Sequence, residues 1–215
     1  MSTPRSETTL PCSKSGTPEE QLRCVRSHLM RFLEPGDLEK WIEVKAPSKF
    51  EPFYASIDIR DAGFKIAPVD ANLYPAGFNN ICPEDIENAG AIVGPMLQRH
   101  LGKMPKRIAI LPEFHTKNLF YAENLYALRK IFRNLGIETE IGWLHFDETG
   151  AVTNSNEPVT LSTPDGRTMT AYPFKRVGDQ LSLTIETNEF QPDFILLNND
   201  FSSGYPQILS GLNQR

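Results

Sequence analysis

Residues 107–144 read RIAILPEFHTKNLFYAENLYALRKIFRNLGIETEIGWL, and this stretch decides the fold. Residues 107–111 are a short apolar run typical of a buried strand. Residues 119–135 carry apolar side chains at helical spacing and are followed by Gly136, a common helix stop. Residues 138–144 form the next strand. Strand, helix and strand joined by short links predict a right-handed βαβ unit in a parallel sheet.

Flanking segments supply further elements. Thr17, Pro18 and Glu20 have the pattern of a capped helix start, and alternating apolar residues after Tyr54 indicate a strand with one polar side. The predicted elements are helices over 17–33, 38–44 and 83–101, the last kinked or split by Pro95, and strands over 54–60 and 66–69.

The second half of the chain contains a hairpin and another parallel strand. Residues 159–172 alternate around Pro164-Asp165-Gly166, and residues 194–197 (FILL) form a buried strand. The fold class predicted is therefore α/β, a Rossmann-like mostly parallel sheet with flanking helices and an inserted β-hairpin. The last residues, SGYPQILSGLNQR, start like a helix, which favours a piece of a longer protein.

Composition limits the class of protein. The Ser/Thr/Pro-rich residues 1–16 are expected to be flexible, and residues 17–215 to form one incomplete α/β substrate-binding domain. A net charge of −5 without a basic block disfavours nucleic-acid binding. Apolar runs are too short for a membrane span. Three cysteines without metal-type spacing predict a reducing, cytoplasmic location.

The loop region 58–82, DIRDAGFKIAPVDANLYPAGFNNIC, has the composition of a small-molecule site. Arg60 is either a substrate-carboxylate ligand or half of a surface ion pair with Asp58. Asp70 and Asn72 either contact a ligand or build a turn. Asn79, Asn80 and Lys65 complete the polar set, while Cys82 is either a stabilised thiolate at a helix start or a partly buried, inert thiol.

Two more polar loops follow the predicted parallel strands. Ligands of open parallel sheets bind beyond the carboxyl ends of strands, so loops 112–118 and 198–200 are expected to converge with loop 70–80 on one crevice. Asn118 is either the cap of the next helix or part of an anion site with Lys117. Glu113 and His115 are better substrate contacts than metal ligands. No phosphate-binding loop motif occurs.

Three long segments carry a family resemblance. YASIDIRDAGFKIAPVDANLYPAGFNNIC (54–82), LPEFHTKN (111–118) and FILLNNDFSSG (194–204) resemble the non-classical bacterial glutamate–cysteine ligases, which are related to ATP-grasp enzymes. The resemblance implies ATP-dependent joining of the glutamate γ-carboxyl to the cysteine amine, the first step of glutathione biosynthesis. It also implies a pre-ATP-grasp-type domain as the amino-terminal part of the enzyme.

In such enzymes the ATP and Mg²⁺ sites lie mostly in later parts of the chain, so catalysis by these residues alone is not expected. Expected partners are L-glutamate, L-cysteine and ATP, with no nucleic acid or membrane and with a homo-oligomer left open. The alternatives are a standalone, non-catalytic amino-acid-binding module and an inactive truncated fragment. Catalytic and metal-binding residues are not assigned. The predicted substrate-binding residues are Arg60, Lys65, Asp70, Asn72, Asn79, Asn80, Glu113, His115, Lys117, Asn198, Asn199 and Asp200.

Overall fold

The computed structural model describes residues 20, 52–114, 118–201 and 204–214. The helices predicted over 17–33 and 38–44 and the flexible segment 1–16 lie outside these residues, apart from the helical Glu20. The chain divides into two compact units. One contains Ile57–Ala71, and the other consists of Tyr54–Ser56 and Asn72–Arg215.

The larger unit is built on a mixed sheet whose centre is parallel. Its strands are β3 (Arg107–Pro112), β4 (Glu138–Trp143), β7 (Val159–Ser162), β8 (Thr168–Val177), β9 (Gln180–Ile185), β10 (Asn188–Phe190) and β11 (Phe194–Asn198). Their order is β10-β9-β8-β4-β3-β11, with β7 also on β8. The pairs β11-β3, β3-β4 and β4-β8 are parallel, and the hairpin partners of β8 and β9 are antiparallel. The α/β fold class is confirmed.

Register places the last strand beside the first strand of this sheet. Leu196 of β11 lies opposite Ile110 of β3, and Ile110 lies opposite Ile141 of β4. Ile108, Ala109, Ile110 and Leu111 are all fully buried, as in a parallel strand covered on both faces. The core on one face of the sheet is formed by Ala109, Leu111, Leu144, Phe174, Leu181, Leu183, Phe190, Ile195 and Phe201.

Helices cover the other face. Helix α3 (Leu119–Asn134) begins after its Asn118 cap and ends before Gly136. Gly136 has a φ of +75°, a left-handed conformation that glycine adopts without the steric cost of a side chain. It packs on β3 and β4 and against a short 3₁₀ helix, Phe78–Asn80. The βαβ unit predicted from residues 107–144 is confirmed.

The helix predicted over 83–101 is two helices, α1 (Pro83–Asn88) and α2 (Gly90–Leu101). The interruption lies at Ala89, and not at Pro95, which is accommodated within α2. Gly90 lies so close to Leu135 that an added Cβ would be 3.0 Å from Leu135 Cδ2. The prediction of a break caused by Pro95 was therefore wrong in its position, and the break lies where the helices pack against Leu135.

The end of the chain also differs from the sequence prediction. Residues 204–214 contain one 3₁₀ turn, Gln207–Leu209, where the sequence predicted a longer helix. Gly211 has a φ of +67°, which ends helical geometry. Arg176 donates hydrogen bonds to the carbonyls of Ile208 and Ser210 (2.9 and 2.6 Å), so these acceptors are satisfied without a helix.

The predicted β-elements near the start of the described chain are present. β1 (Ser56–Asp61) and β2 (Ile66–Asn72) pair as a two-stranded sheet. Later in the chain, β5 (His145–Phe146) and β6 (Val152–Thr153) form another two-stranded sheet. The hairpin predicted over 159–172 is confirmed as β7 and the start of β8. None of the helices in the described part of the chain is long and apolar enough to cross a membrane.

Candidate substrate-binding cleft

A large open cleft lies beyond the carboxyl end of β11 in the larger unit. Its volume is about 1050 Å³. The residues that follow β11, Asn199 and Asp200, form part of its wall, and Phe114 enters from the loop after β3. Ligands of open parallel sheets bind at this kind of position. The remaining lining residues are Phe146, Gly150, Ala151, Val152, Asn154, Arg176, Phe201, Gly204, Tyr205, Pro206, Gln207, Ile208 and Ser210.

The loops around the end of β11 are held together by the Asn198 side chain, which is 1% exposed. Its Nδ2 donates to Tyr54 Oη (2.9 Å) and to the Pro75 carbonyl (2.9 Å). Its Oδ1 accepts from Tyr121 Oη (3.0 Å) and Asn124 Nδ2 (3.1 Å). Asn198 therefore links segments that are distant in sequence, and all of its amide hydrogen-bonding capacity is used inside the protein.

The partners of Asn198 extend this network. Tyr54 Oη donates to the Leu197 carbonyl (2.7 Å). The single Tyr121 hydroxyl proton is shared between Asn198 Oδ1 and the Asn198 carbonyl (2.7 Å), and Tyr121 Oη accepts from the Glu113 amide (2.9 Å). The fully buried Asn124 accepts from the Phe78 amide (3.0 Å). Burial raises the pKa of Tyr54 and of Tyr121 above the usual tyrosine range, so both hydroxyls stay protonated and able to donate.

Asn199 has a similar structural role. It is 5% exposed, and its Nδ2 donates to the Pro112 carbonyl (3.0 Å) at the end of β3. This bond joins the ends of two neighbouring parallel strands. Asn198 and Asn199 thus tie the 198–200 segment to Pro75 and to Pro112. Described residues of loop 70–80 are not part of the cleft lining, so a crevice shared by all three predicted loops stays a prediction.

Tyrosines connect the 72–80 segment to the wall of the cleft. The pKa of Tyr74 is raised above its ordinary value. Burial is the largest cause, followed by the proximity of Tyr205 and the hydrogen bond with it, and then by the Asp200 carboxylate. Tyr205 stacks on Phe201 with ring centroids 5.3 Å apart. Asp200 therefore lies near the tyrosine side chains at the edge of the cleft.

Arg176 gives the cleft a positive group. Its Nε donates to the Gly178 carbonyl (2.8 Å), and its Nη1 donates to the Ile208 and Ser210 carbonyls. Neutral acceptors thus hold the guanidinium in place, and no ion pair to it is found among the described residues. Its Nη2 likewise has no acceptor in the described part of the chain. This nitrogen can donate to a bound anion.

Aromatic rings form another part of the lining, called the aromatic wall here. Phe114 and Phe146 both line the cleft with centroids 4.8 Å apart. Phe114 also meets Trp143 edge to face, at a centroid distance of 5.8 Å. Such a wall offers an apolar surface to the carbon chain of a ligand whose polar ends are held by charged groups.

The structure assigns several predicted site residues to local roles. Asn72 Oδ1 accepts from the Tyr74 amide (2.8 Å), which is the turn-building alternative, and Asn118 Oδ1 accepts from the Phe120 amide (3.0 Å), which is the helix cap. Asn79 and Asn80 lie on the 3₁₀ helix. Glu113 lines a smaller pocket, and His115 and Lys117 lie outside the described residues.

Arg60, Lys65 and Asp70 belong to the smaller unit, where Arg60 and Asp70 are exposed on β1 and β2. Within the described residues no ion pair joins Arg60 to Asp58. Their participation in substrate binding stays a prediction.

Cys82 differs from both alternatives considered for it. The thiol is exposed and donates to Asp85 Oδ2 (3.1 Å). This hydrogen bond to a carboxylate raises the pKa of Cys82 above its ordinary value, so the thiolate form is disfavoured. The thiol is therefore neither buried nor activated by the start of α1.

Sequence reasoning missed Arg176, Tyr54, Tyr121, Asn124 and the aromatic wall. Asn124 lies on the buried face of α3, where a polar residue interrupts the apolar stripe, and this was the available signal. Arg176 carries no comparable signal, because only the β8-β9 hairpin and the 207–210 segment bring it to the cleft.

Comparisons with known proteins identify a family and a similar fold. A family model described as glutamate-cysteine ligase matches residues 32–215. The fold resembles the crystal structure, at 1.90 Å resolution, of a candidate gamma-glutamylcysteine synthetase from Methylobacillus flagellatus KT, with a TM-score of 0.71 and 35% identity. The similarity covers 90% of this chain and 42% of that one. Among curated protein sequences, none matches this chain.

The family match extends over most of the chain, including every element that forms the cleft. The structural similarity covers the same α/β unit at an identity well above chance resemblance. The chain belongs to the glutamate–cysteine ligase family.

Proposed function

We propose that this chain binds L-glutamate in the 1050 Å³ cleft as the amino-terminal part of an ATP-dependent glutamate–cysteine ligase. The reaction would form γ-glutamylcysteine, the first step of glutathione biosynthesis. The observation that carries the proposal is a cleft with Arg176 and Asp200 in its lining, in a chain of this family. The cytoplasmic location predicted from the cysteines is kept as part of the proposal.

Glutamate matches the charges of this lining. It presents two carboxylates and one ammonium group at neutral pH. The guanidinium of Arg176 is suited to a carboxylate, and the Asp200 carboxylate is suited to the α-ammonium group. The aromatic wall of Phe114 and Phe146 would lie against the methylene groups between them.

The size of the cleft supports a reaction with more than one reactant. Its volume of about 1050 Å³ is at the upper end of the range for ligand pockets. A single amino acid fills only part of this space. The remainder can receive the amine and the phosphate groups that must meet the bound carboxylate.

The proposed chemistry has two steps. An oxygen of the glutamate γ-carboxylate attacks the γ-phosphorus of ATP, and ADP leaves to give an acyl phosphate. The deprotonated amine of cysteine then attacks the acyl carbon, and inorganic phosphate leaves as the amide forms. The role of the residues described here would be to hold the glutamate in a fixed orientation, which removes part of the entropic barrier.

Mg²⁺ would supply charge neutralisation of the phosphates when bound. Within the described residues no group of three His, Cys, Asp or Glu side chains could hold a metal ion, so this part of the chain does not fit a complete Mg²⁺ site. We place most of the ATP and Mg²⁺ site outside this chain.

Isothermal titration calorimetry with L-glutamate tests the role of Arg176. We expect Arg176→Ala to weaken binding by about 1–3 kcal/mol, because a hydrogen-bonded ion contact is lost. Lys175→Ala is the matched control, since Lys175 is the adjacent exposed cation and does not line the cleft. Equal affinities of the wild-type protein and Arg176→Ala would remove Arg176 from the site.

Glutarate, which lacks the amino group, tests Asp200 separately. The wild-type protein is expected to bind glutamate more tightly than glutarate, and Asp200→Asn is expected to remove most of that preference. If the preference survives in Asp200→Asn, the ammonium group is recognised elsewhere. Arg60→Ala is titrated in parallel, because the sequence predicts about 1–3 kcal/mol of lost glutamate affinity there as well.

A further inference from the structure

A second, smaller pocket lies beside the start of α3 and is not used by the proposed glutamate site. Its volume is about 220 Å³. The buried residues Tyr121, Ala122 and Leu125 of α3 form its apolar base, and Trp143 and Leu161 are half-buried in its walls. The polar lining residues are Glu113, Asn118, Thr160 and Ser162.

Glu113 is the charged residue of this lining. It is half-buried, and its backbone amide is already engaged by Tyr121 Oη. Among the described residues no cation forms an ion pair with its carboxylate. A partly desolvated carboxylate gains most from a ligand that brings its own positive charge.

Two backbone amides at the start of α3 are already hydrogen-bonded within the described chain. The Phe120 amide donates to Asn118 Oδ1 (3.0 Å) and the Tyr121 amide donates to the Asn118 carbonyl (3.0 Å). These amides are therefore used by the cap. An anion in the pocket would also be repelled by the Glu113 carboxylate.

The pocket is separated from the large cleft. In the loop after β3, Glu113 lines the small pocket whereas the next residue, Phe114, lines the cleft. Trp143 lines the small pocket and contacts Phe114 edge to face. The Phe114–Trp143 contact thus lies between the two cavities, and a ligand in one does not need to occupy the other.

We propose that this pocket is a second ligand site, which binds a primary ammonium ion carrying a short apolar chain. The ammonium group donates to the Glu113 carboxylate, and the Trp143 ring can add a cation–π contribution. The apolar chain lies on Ala122, Leu125 and Leu161. The volume of about 220 Å³ limits the ligand to a small amine.

Calorimetric titration with a matched series of small molecules tests the proposal. The probes are isoamylamine, isoamyl alcohol and isovalerate, which share a branched apolar chain and differ in charge. We expect isoamylamine to bind with a Kd on the order of 1 mM, as is reasonable for so small a ligand. Isovalerate is expected to give no saturable heat. Absence of binding by isoamylamine, or isovalerate binding as tightly, would overturn the proposal.

Two isosteric variants assign the bound amine to one cavity. Glu113→Gln is expected to weaken isoamylamine binding by about tenfold or more, since a charge-assisted contact is lost, and to leave the alcohol unaffected. Asp200→Asn, in the large cleft, is expected to leave isoamylamine binding unchanged. The reverse pattern would place the amine in the cleft and refute a separate site. Because the probes are not amino acids, failure here leaves the glutamate proposal standing.

Discussion

Asn198 is a buried amide that satisfies four groups from three other segments of the chain. Tyr54, Pro75, Tyr121 and Asn124 each depend on it for a hydrogen bond. A buried polar network of this kind is stabilising only while all its members have partners. The residue therefore contributes to the site by holding its walls, which differs from the direct substrate contact predicted for it from sequence.

Asn198→Leu tests this role. The leucine has a similar size but removes one hydrogen bond from each of Tyr54 Oη, the Pro75 carbonyl, Tyr121 Oη and Asn124 Nδ2, while the two tyrosine hydroxyls keep their bonds to backbone carbonyls. We expect a loss of roughly 3–5 kcal/mol in the free energy of unfolding, measured by urea denaturation. Asn156→Leu, at an exposed position, is the control and should change stability by about 0.5 kcal/mol or less. Equal stability of the two variants would contradict the network.

The network was beyond sequence reasoning for a physical reason. The polar loop after β11 was recognised because turn and amide residues follow an apolar strand. Whether an amide faces a ligand or a protein carbonyl depends on partners far away in the chain. The Asn198–Tyr54 and Asn198–Tyr121 bonds join residues separated by 144 and 77 positions. Local patterns carry no information on such pairs.

At the scale of the elements, the Phe174 ring of β8 occupies the space that a side chain at Gly142 of β4 would need. A Cβ added to Gly142 would lie 1.9 Å from Phe174 Cε2. Phe174 belongs to the core on that face of the sheet and is 7% exposed. The absent side chain at Gly142 is thus what allows the Phe174 ring to occupy its position, since packed interiors leave no space to absorb such an overlap.

We expect Gly142→Ala to destabilise the protein by about 1–3 kcal/mol or to prevent folding, because the core is overpacked. Thermal unfolding followed by circular dichroism measures the effect. Gly94→Ala in α2 is the matched control, because its added Cβ would be 3.5 Å from Leu135, an ordinary contact. Phe174→Leu should recover part of the loss in the double variant. Similar melting temperatures for Gly142→Ala and Gly94→Ala would refute the packing argument.

Elements defined by local signals were predictable, and those defined by packing were not. The apolar run of β3, the Asn118 cap and Gly136 identify the βαβ unit from sequence alone. The break at Ala89 was not predictable, because it is associated with the approach of Leu135 to Gly90. The short 3₁₀ turn that stands in place of a longer helix after Pro206 is likewise held by a distant residue, since Arg176 is 32 residues from Ile208.

For the molecule as a whole, the proposed function separates glutamate binding from nucleotide binding. Saturating glutamate at about 100 times its Kd should stabilise the protein by roughly 2.7 kcal/mol. For a chain of this length that corresponds to a rise in melting temperature of about 5–11 °C. Mg-ATP alone should leave the melting temperature unchanged, as expected if most of its site lies outside this chain.

The controls are MgCl₂ alone and glutarate at the same concentration, which separate ionic effects from recognition of the amino acid. A rise with Mg-ATP alone would contradict the placement of the nucleotide site. Glutamate stabilisation without turnover of glutamate, cysteine and ATP would fit both an amino-terminal ligase part and a standalone binding module. Turnover by the isolated chain would refute the module and the inactive-fragment alternatives together.

The parallel pairing of β11 with β3 has a consequence for how the protein is made. During translation, β3, α3 and β4 leave the ribosome long before β11. The edge of β3 that pairs with β11 therefore stays without its partner strand until Phe194–Asn198 has emerged. Until then a strand that is apolar from Ile108 to Pro112 has an open edge, which is a template for pairing with other nascent chains. Slow synthesis between residues 112 and 194 would prolong that exposure. Pairing of β11 with β3 thus closes the strand edge through which nascent chains could aggregate.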